Sequence, residues 1–579
     1  MKYEKLSAGL LALAEDYQTQ GTAGVLAQAR SVPLAAAPAG VAPCLRVFMR
    51  CRADATFFHL PAVRVHEARG EVRTAQVPLD HLDPLSEDPQ VSRLAPAVVL
   101  RPLMDVAAHK VGLNTLRSAH PSLTGRGVVI GIVDSGIDTT HPAFAGRVLS
   151  IWDQTIAGTG WGTTQYGTVL SGARLGMSLD TAGHGTHVAG IAAGHDAVYG
   201  GVAAEAGLII VKTDFMTTSI GDGVRYVFAE AARLGLPAVV NLSLGGHADA
   251  HDGSDDLSAV LDQESGPGRI VVAAAGNEGT DPIRREAILA TCDAADLPFQ
   301  VAPNSTGNSP PWVVLNGWYE GAGGCEVSIR TSSGDVTAWQ PVITAGSPTQ
   351  NYSFANARIQ VSTPPATVNP NEDHQFWIEL RPGPFSEVVQ GGTWQLRLRN
   401  TGTAPVRVNV WSIVPPGSAE AAFLSPSPGL RIGSPGAAAS AVTVAAYTTR
   451  NHWQDAAGAT RAVGLGLDDI ADFSSPGPLR NGANKPDVTA PGAMIISCLS
   501  AASHPPASNI VTAGFRVNAG TSMASPFIAG LVALLLQRAP HLDPAAVKAL
   551  LQSHSAIPAQ PPGTFDAHWG YGLINAGEL

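Results

Sequence analysis

Two patterns of apolar residues divide this chain. Residues 127–133 (GVVIGIV) form a continuous apolar run that ends in Asp134-Ser135-Gly136. A short apolar run bounded by glycines reads as a strand of a parallel sheet covered on both faces. Beyond it, strand-like and helix-like stretches take turns: strand 207–213, helix 222–234, strand 237–244, helix 254–263 and strand 269–275. That alternation predicts βαβ units and an α/β fold with a doubly wound parallel sheet. Two further helices, rich in small and apolar residues, are expected to open near His184 and just before the run 527–535.

Between residues 283 and 415 the pattern changes. Short alternating runs appear at 312–318, 325–330, 354–360, 376–380, 394–398 and 406–413, separated by turn residues. Six of the ten tryptophans lie here: Trp312, Trp318, Trp339, Trp377, Trp394 and Trp411. Period-two alternation without helical periodicity predicts an antiparallel sandwich of jelly-roll type. Ahead of residue 118, the runs 45–51, 63–66 and 72–77 read as strands, and 82–94 has helical spacing, which suggests a small α+β module. The expected organisation is therefore a module at 1–117, a main domain at 118–282 and 416–579, and an inserted β-domain at 283–415.

Composition narrows the class. A length of 579 residues suggests about three domains. With 45% hydrophobic and 14% charged residues, the chain is a folded globular protein. A net charge of −11 over this length argues against nucleic acid or an acidic membrane surface as the main partner. Cys44, Cys51, Cys292, Cys325 and Cys498 are scattered and odd in number, with no metal-ligand spacing and no disulfide framework. No unbroken apolar stretch approaches the roughly 20 residues of a membrane span. At the N-terminus, Leu6, Leu10, Leu13 and Tyr17 share a helical face, and the apolar core is short for a signal peptide. The expectation is a cytoplasmic protein, with secretion as the alternative.

The candidate chemistry lies in three separated segments. Residues 518–526 (NAGTSMASP) deliver Ser522 to the start of the apolar helix. Unpaired N–H groups at a helix N-terminus favour developing negative charge there. A hydroxyl so placed is a nucleophile if a base takes its proton. His184, in the run DTAGHGTH, supplies an imidazole. Asp134, at the carboxyl end of the first strand, supplies a carboxylate to fix its tautomer and stabilise the cation. Asp before His before Ser is the chain order of subtilisin, distinct from the chymotrypsin and α/β-hydrolase orders.

Six segments carry a resemblance to the subtilisin-like serine peptidases (subtilases): VDSGIDTTHP at 133–142, HGTHVAGIAAG at 184–194, NLSLGG at 241–246, AAAGNEG at 273–279, KPDVTAPGAMIIS at 485–497 and AGTSMASPFIAGLVALLL at 519–536. The resemblance covers roughly residues 120–282 and 428–579. It implies a serine endopeptidase with Asp134, His184 and Ser522 as triad and Asn277 as the side-chain donor of the oxyanion hole. It places Ser243, Leu244, Gly245, Ala275 and Gly276 along the substrate groove and Gly433 at the base of a specificity pocket. A pocket of such small residues suits an apolar side chain. His187 and Ser525 are expected to be packing residues. The N-terminal module resembles the family's propeptide, an intramolecular chaperone and inhibitor, so a zymogen is expected. The insertion between Asn277 and Gly433 resembles the Csp-like branch of the family. Many subtilases bind calcium through an acidic residue where this chain has Ala143, and the partner loop 194–200 is short. The resemblance therefore implies that the usual strong calcium site is absent, leaving no metal ligands to name, no required cofactor, and an ion at some other site as an open question. The implied partner is a protein or peptide substrate. The alternative is a catalytically silent subtilase-fold binding or regulatory protein.

Overall fold

Strand Val129–Asp134 is buried at every position. Successive side chains of a strand point to opposite faces, and here Val129 and Val133 enter one apolar layer while Ile130 and Ile132 enter the other. A continuous apolar run is what a strand covered on both sides requires. This is a computed structural model, which describes residues 2, 5, 17, 34–35, 44–52, 54–65, 72–96, 108, 110–162, 166–302, 309–321, 323–414 and 421–579.

The strand lies inside a ten-stranded sheet, with Ala238–Leu242 on one side and Gly207–Lys212 on the other. Beyond Ala238–Leu242 come Arg269–Ala274, Val442–Thr448 and Val488–Ala493, all parallel. Beyond Gly207–Lys212 comes Val148–Asp153, also parallel. The chain thus winds outward in both directions from Val129–Asp134, and the carboxyl ends of the strands gather along one edge. Helices Thr217–Arg233 and Asp256–Glu264 cover one face. Leu113–Ala119, His184–Ala193, Thr521–Arg538 and Pro544–Ser553 cover the other. Thr521–Arg538 is the one helix among the described residues long and apolar enough to cross a membrane, but 89% of it is buried, packed on the sheet. It is the core helix of this domain.

The inserted region forms two packed antiparallel sheets of six and five strands. Phe299, Phe376, Trp394 and Phe423 lie in the core between them. Strands Cys325–Arg330 and Val406–Ile413 coincide with the alternating runs. Others differ from the sequence reading. Ala357–Thr363 starts later than expected and leaves Phe354 in the preceding turn. Arg284–Leu289, Ala294–Val301, Gln340–Val342, Ser347–Ser353 and Ala421–Phe423 are additional strands. Pro298 masks the second of these, since proline argues against a strand interior, and Ser347–Ser353 is a polar edge strand with almost no apolar signal. Ala421–Phe423 pairs with Ala294–Val301, so the sandwich extends past residue 415.

Two compact units are present, Met1–Pro102 and Leu103–Leu579. Catalytic sheet and sandwich therefore share one unit. The boundary lies ahead of the 117/118 division suggested by sequence, because helix Leu113–Ala119 packs against Ala576–Glu578 at the C-terminus. The first unit holds an antiparallel sheet in which Cys44–Cys51 pairs with both Val72–Pro78 and Val91–Pro96. The helix expected over 82–94 ends at Glu87, and the rest becomes that last strand. Pro89 is the cause: it disfavours helical backbone at the preceding residue, and Asp88 is extended at ψ 124°. The expected N-terminal helical face lies outside the described residues, apart from Tyr17.

Candidate active site

The carboxyl edge of the sheet joins Asp134 directly to His184 and sets Ser522 against Ser243. Asp134 ends the central strand and is fully buried. Its Oδ1 accepts the Ser135 N–H at 2.7 Å and faces His184 Nδ1 at 2.8 Å. His184 opens its helix and keeps a side chain 30% exposed. Burial opposes the imidazolium, but the Asp134 carboxylate more than offsets this, and the His184 pKa is raised. A second carboxylate secures the same turn. Asp180 accepts from Ser135 Oγ and the Gly183 N–H, and from both the N–H and hydroxyl of Thr186.

Ser522 sits in the first turn of the buried helix Thr521–Arg538. Its N–H is one of the groups that a helix leaves without an intrahelical partner. In this structure its hydroxyl donates to the Ser243 carbonyl at 3.2 Å rather than to His184. The first helical turn is pinned from below. Ser525 Oγ donates to Asn241, Asn241 Nδ2 to Ser243 Oγ, and Ser243 Oγ to the Ser522 carbonyl. Ser525 is thus a hydrogen-bonding strut, beyond the packing role its size suggested. His187 is buried, with Nε2 facing the carbonyls of Ile495 and Arg516, and burial pushes its pKa down to about 3.

Asn277 follows strand Arg269–Ala274. Its Oδ1 accepts the Thr521 N–H at 2.8 Å and the Thr521 hydroxyl at 3.1 Å. This fixes the amide with Nδ2 as its open end. Gly276 precedes it at φ 110°, where a Cβ would lie 2.7 Å from Glu278 and Ser475. Only glycine fits that turn.

Beside Ser522 lies a cavity of about 160 Å³. Ser243, Leu244, Gly245, Ala275, Gly276 and Gly433 all line it. At Gly433 a Cβ would collide with the Gly246 carbonyl at 2.1 Å, so the wall closes here only around glycine. The expected apolar character is corrected by three other lining residues: His247, Glu278 and Arg431. Burial opposes the Glu278 charge, yet the nearby His247 and hydrogen bonds from Ser475 and the Asn277 N–H lower its pKa to about 2. Sequence reading passed over these residues although each adjoins a recognised motif. Glu278 follows Asn277, His247 follows the NLSLGG segment, and Arg431 stands two before Gly433. A second, larger hollow of about 390 Å³ shares Leu244, Gly245 and Gly246 and adds Phe215, Ile220 and Leu257.

Ala143 is buried in the turn Pro142–Phe144, and Asp196 accepts the N–H groups of Val198 and Tyr199 within its own loop. Among the described residues no group of three or more His, Cys, Asp or Glu is arranged to hold a metal ion.

The model of the Subtilase family matches residues 125–314 and 400–572. The chain is similar to the major intracellular serine protease of Bacillus subtilis (strain 168), 30% identical over 34% of this chain and 57% of that protein. It is similar to thermitase of Thermoactinomyces vulgaris, 32% identical over 27% of this chain and 49% of that one. It spans about half the length, or less, of the curated relatives it matches. Its fold resembles that of the Clostridium perfringens CspB protease, with a TM-score of 0.66 and 22% identity over 81% of this chain and 95% of that one.

Proposed function

The chain belongs to the subtilase family, and from that premise we propose that it is a serine endopeptidase acting on proteins or peptides. The observation that carries the reading is the Asp134–His184 pair at 2.8 Å, set beside a serine in the first turn of a buried helix. Substrate backbone lies along Ser243–Gly245 and Ala275–Gly276. The Ser522 hydroxyl turns from the Ser243 carbonyl toward His184, which accepts its proton as Oγ attacks the peptide carbonyl. Asp134 holds the imidazole with Nδ1–H toward itself, so that Nε2 is the base, and stabilises the cation. Asn277 Nδ2 and the Ser522 N–H donate to the oxyanion, whose charge exists only in the transition state. His184 then protonates the leaving amine, and water hydrolyses the acyl-enzyme by the same route in reverse. No cofactor takes part in this scheme.

The N-terminal unit acts as a propeptide, an intramolecular inhibitor of the enzyme. Cleavage within residues 95–117 releases it.

The test is incubation of the full chain with a peptide library, with Ser522→Ala as its control. Cleavage by the wild type alone supports the proposal. Failure of both to cleave, with undiminished peptide binding, would favour a silent binding protein. The same samples examined by intact mass should show the N-terminal unit cut in the wild type and retained in Ser522→Ala.

A further inference from the structure

The loop that carries His247 to the pocket beside Ser522 is backed by the inserted sandwich. Residues 247–252 follow the groove segment and run beneath strands Val313–Tyr319 and Val406–Ile413. Asn316 Nδ2 donates to the carbonyls of His247 and Asp249 at 3.0 and 2.9 Å. Trp318 Nε1 donates to Asn316 Oδ1 and holds that amide in place. Trp411 stacks on His251 with ring centroids 3.8 Å apart and planes 4° apart. His251 in turn lies nearly parallel to His247 with ring centroids 5.2 Å apart, and the two are joined edge to edge from Nε2 to Nδ1 at 2.9 Å.

The hydrogen-bond order follows from the partners. His251 Nδ1 faces the Asp249 carbonyl, which only accepts, so Nδ1 carries the proton. His251 Nε2 is then a lone pair, and it accepts from His247 Nδ1–H. A neutral His247 is left with a lone pair on Nε2, 3.5 Å from Glu278 Oε2. Two acceptors facing one another form no bond, so Glu278, whose Oε2 accepts from the Asn277 N–H and Ser475 Oγ, keeps an unneutralised charge toward the pocket. When His247 takes a proton on Nε2, the pair becomes N–H⁺ against O⁻, and the carboxylate is masked.

From this geometry, and resting on the peptidase reading above, we infer that His247 is a specificity-determining residue that gates Glu278, so that the pocket takes a cationic side chain, of the lysine type, when His247 is neutral and loses that preference when His247 is protonated. The cavity of about 160 Å³ is of the right order for one long side chain. Other charged groups surround the site. Asp249 and His251 face His247 from its own loop. Glu278 and Asp281 face it from the segment after Asn277. Arg431 lines the same wall, held by the carbonyls of Gly279 and Ser427. Arg284 and Arg480 act on His251 from behind. Burial keeps His251 neutral. Burial, aided by Asp255, pushes the Asp249 carboxyl up to about 7. Its protonation in acid also makes the pocket less negative, in the same direction as His247, and the experiment must separate the two.

The full chain is assayed with two peptides that differ only in lysine or norleucine at the residue preceding the scissile bond. The ratio of their kcat/KM values is followed from about pH 5.5 to 8.5, the range in which an imidazole titrates. In the wild type the ratio should rise about tenfold toward high pH, the order expected for one charge a few ångströms away at a partly wet site. In His247→Gln it should stay high at all pH values. In Glu278→Gln it should be low and flat. A flat ratio in the wild type overturns the proposal without any variant. An unchanged slope in His247→Gln also overturns it and assigns the effect to Asp249. If neither peptide is turned over, the peptidase reading itself fails and this inference falls with it.

Discussion

The parallel sheet and the inserted sandwich treat polar residues in opposite ways. Strands Val129–Asp134 and Ala238–Leu242 are buried throughout, because helices cover both faces. Polar chemistry is thereby displaced to their carboxyl ends, where Asp134 and Ser243 stand. Strand His374–Pro382 instead alternates between buried and half-exposed positions along most of its length. Several sandwich strands break that rule, one of them along its whole length. Val313–Tyr319 is buried at all seven positions. Its second face carries Asn316 and Trp318, which lie against the loop 247–252. In an antiparallel sandwich, lost alternation marks the face that docks, and here the docked loop is a wall of the pocket.

If the chemistry resides at the ends of the parallel strands, damage there should far exceed damage from the sandwich side. Members of a triad act as a unit, and in subtilisin loss of the serine or histidine costs about 10⁶ in turnover. Ser522→Ala and His184→Ala should each lose turnover on that order in a peptide assay. Asn277→Ala should lower kcat by about 10²–10³, the known effect of the corresponding subtilisin asparagine, while KM stays near its wild-type value.

The pH profile sharpens the same side of the comparison. The base works only as neutral imidazole, and Asp134 holds the His184 pKa above its ordinary value despite burial. The acid limb of kcat/KM should therefore rise with pH and have its midpoint above about 6.5. In Asp134→Asn, residual activity should show a limb displaced to lower pH, because burial then acts unopposed. A limb that does not move would separate His184 from Asp134.

On the sandwich side, Trp411→Ala should cost about 3–5 kcal/mol in denaturant unfolding, as for a large buried aromatic side chain. It should also change peptide preference at the pocket, through His251, more than it changes reaction with a small serine-directed reagent. Equal losses in both would argue that the sandwich supports the whole site and not the pocket wall. The smallest effect is expected from chelation. With Ala143 in place of an acidic residue, a chelator should lower Tm by no more than about 2 °C, which for a domain of this size corresponds to roughly 1 kcal/mol. A large drop reversed by calcium would reveal an ion at another site.

Much of the catalytic half was legible because its motifs are local. Asp134, His184, Asn277 and Ser522 each sit within a short segment whose small residues are fixed by close packing. The sheet strands were legible because burial on both faces leaves an unbroken apolar run. What escaped was decided by contacts distant in sequence. His247 and Glu278 adjoin recognised motifs, but their pairing in the pocket depends on distant contacts, the loop held by Asn316 and Trp411 and the Ser475 hydroxyl on Glu278. The edge strand Ser347–Ser353 escaped because it buries almost nothing, and the strand Val91–Pro96 because Pro89 ended a helix that its leucines suggested.

The central claim is that Ser522, activated by His184, is the nucleophile. Labelling the full chain with a fluorophosphonate and mapping the modified peptide by mass spectrometry tests this most directly. The account predicts a single adduct on Ser522, lost in Ser522→Ala and strongly slowed in His184→Ala. An adduct on another serine, or labelling of Ser522 at an undiminished rate without His184, would contradict it.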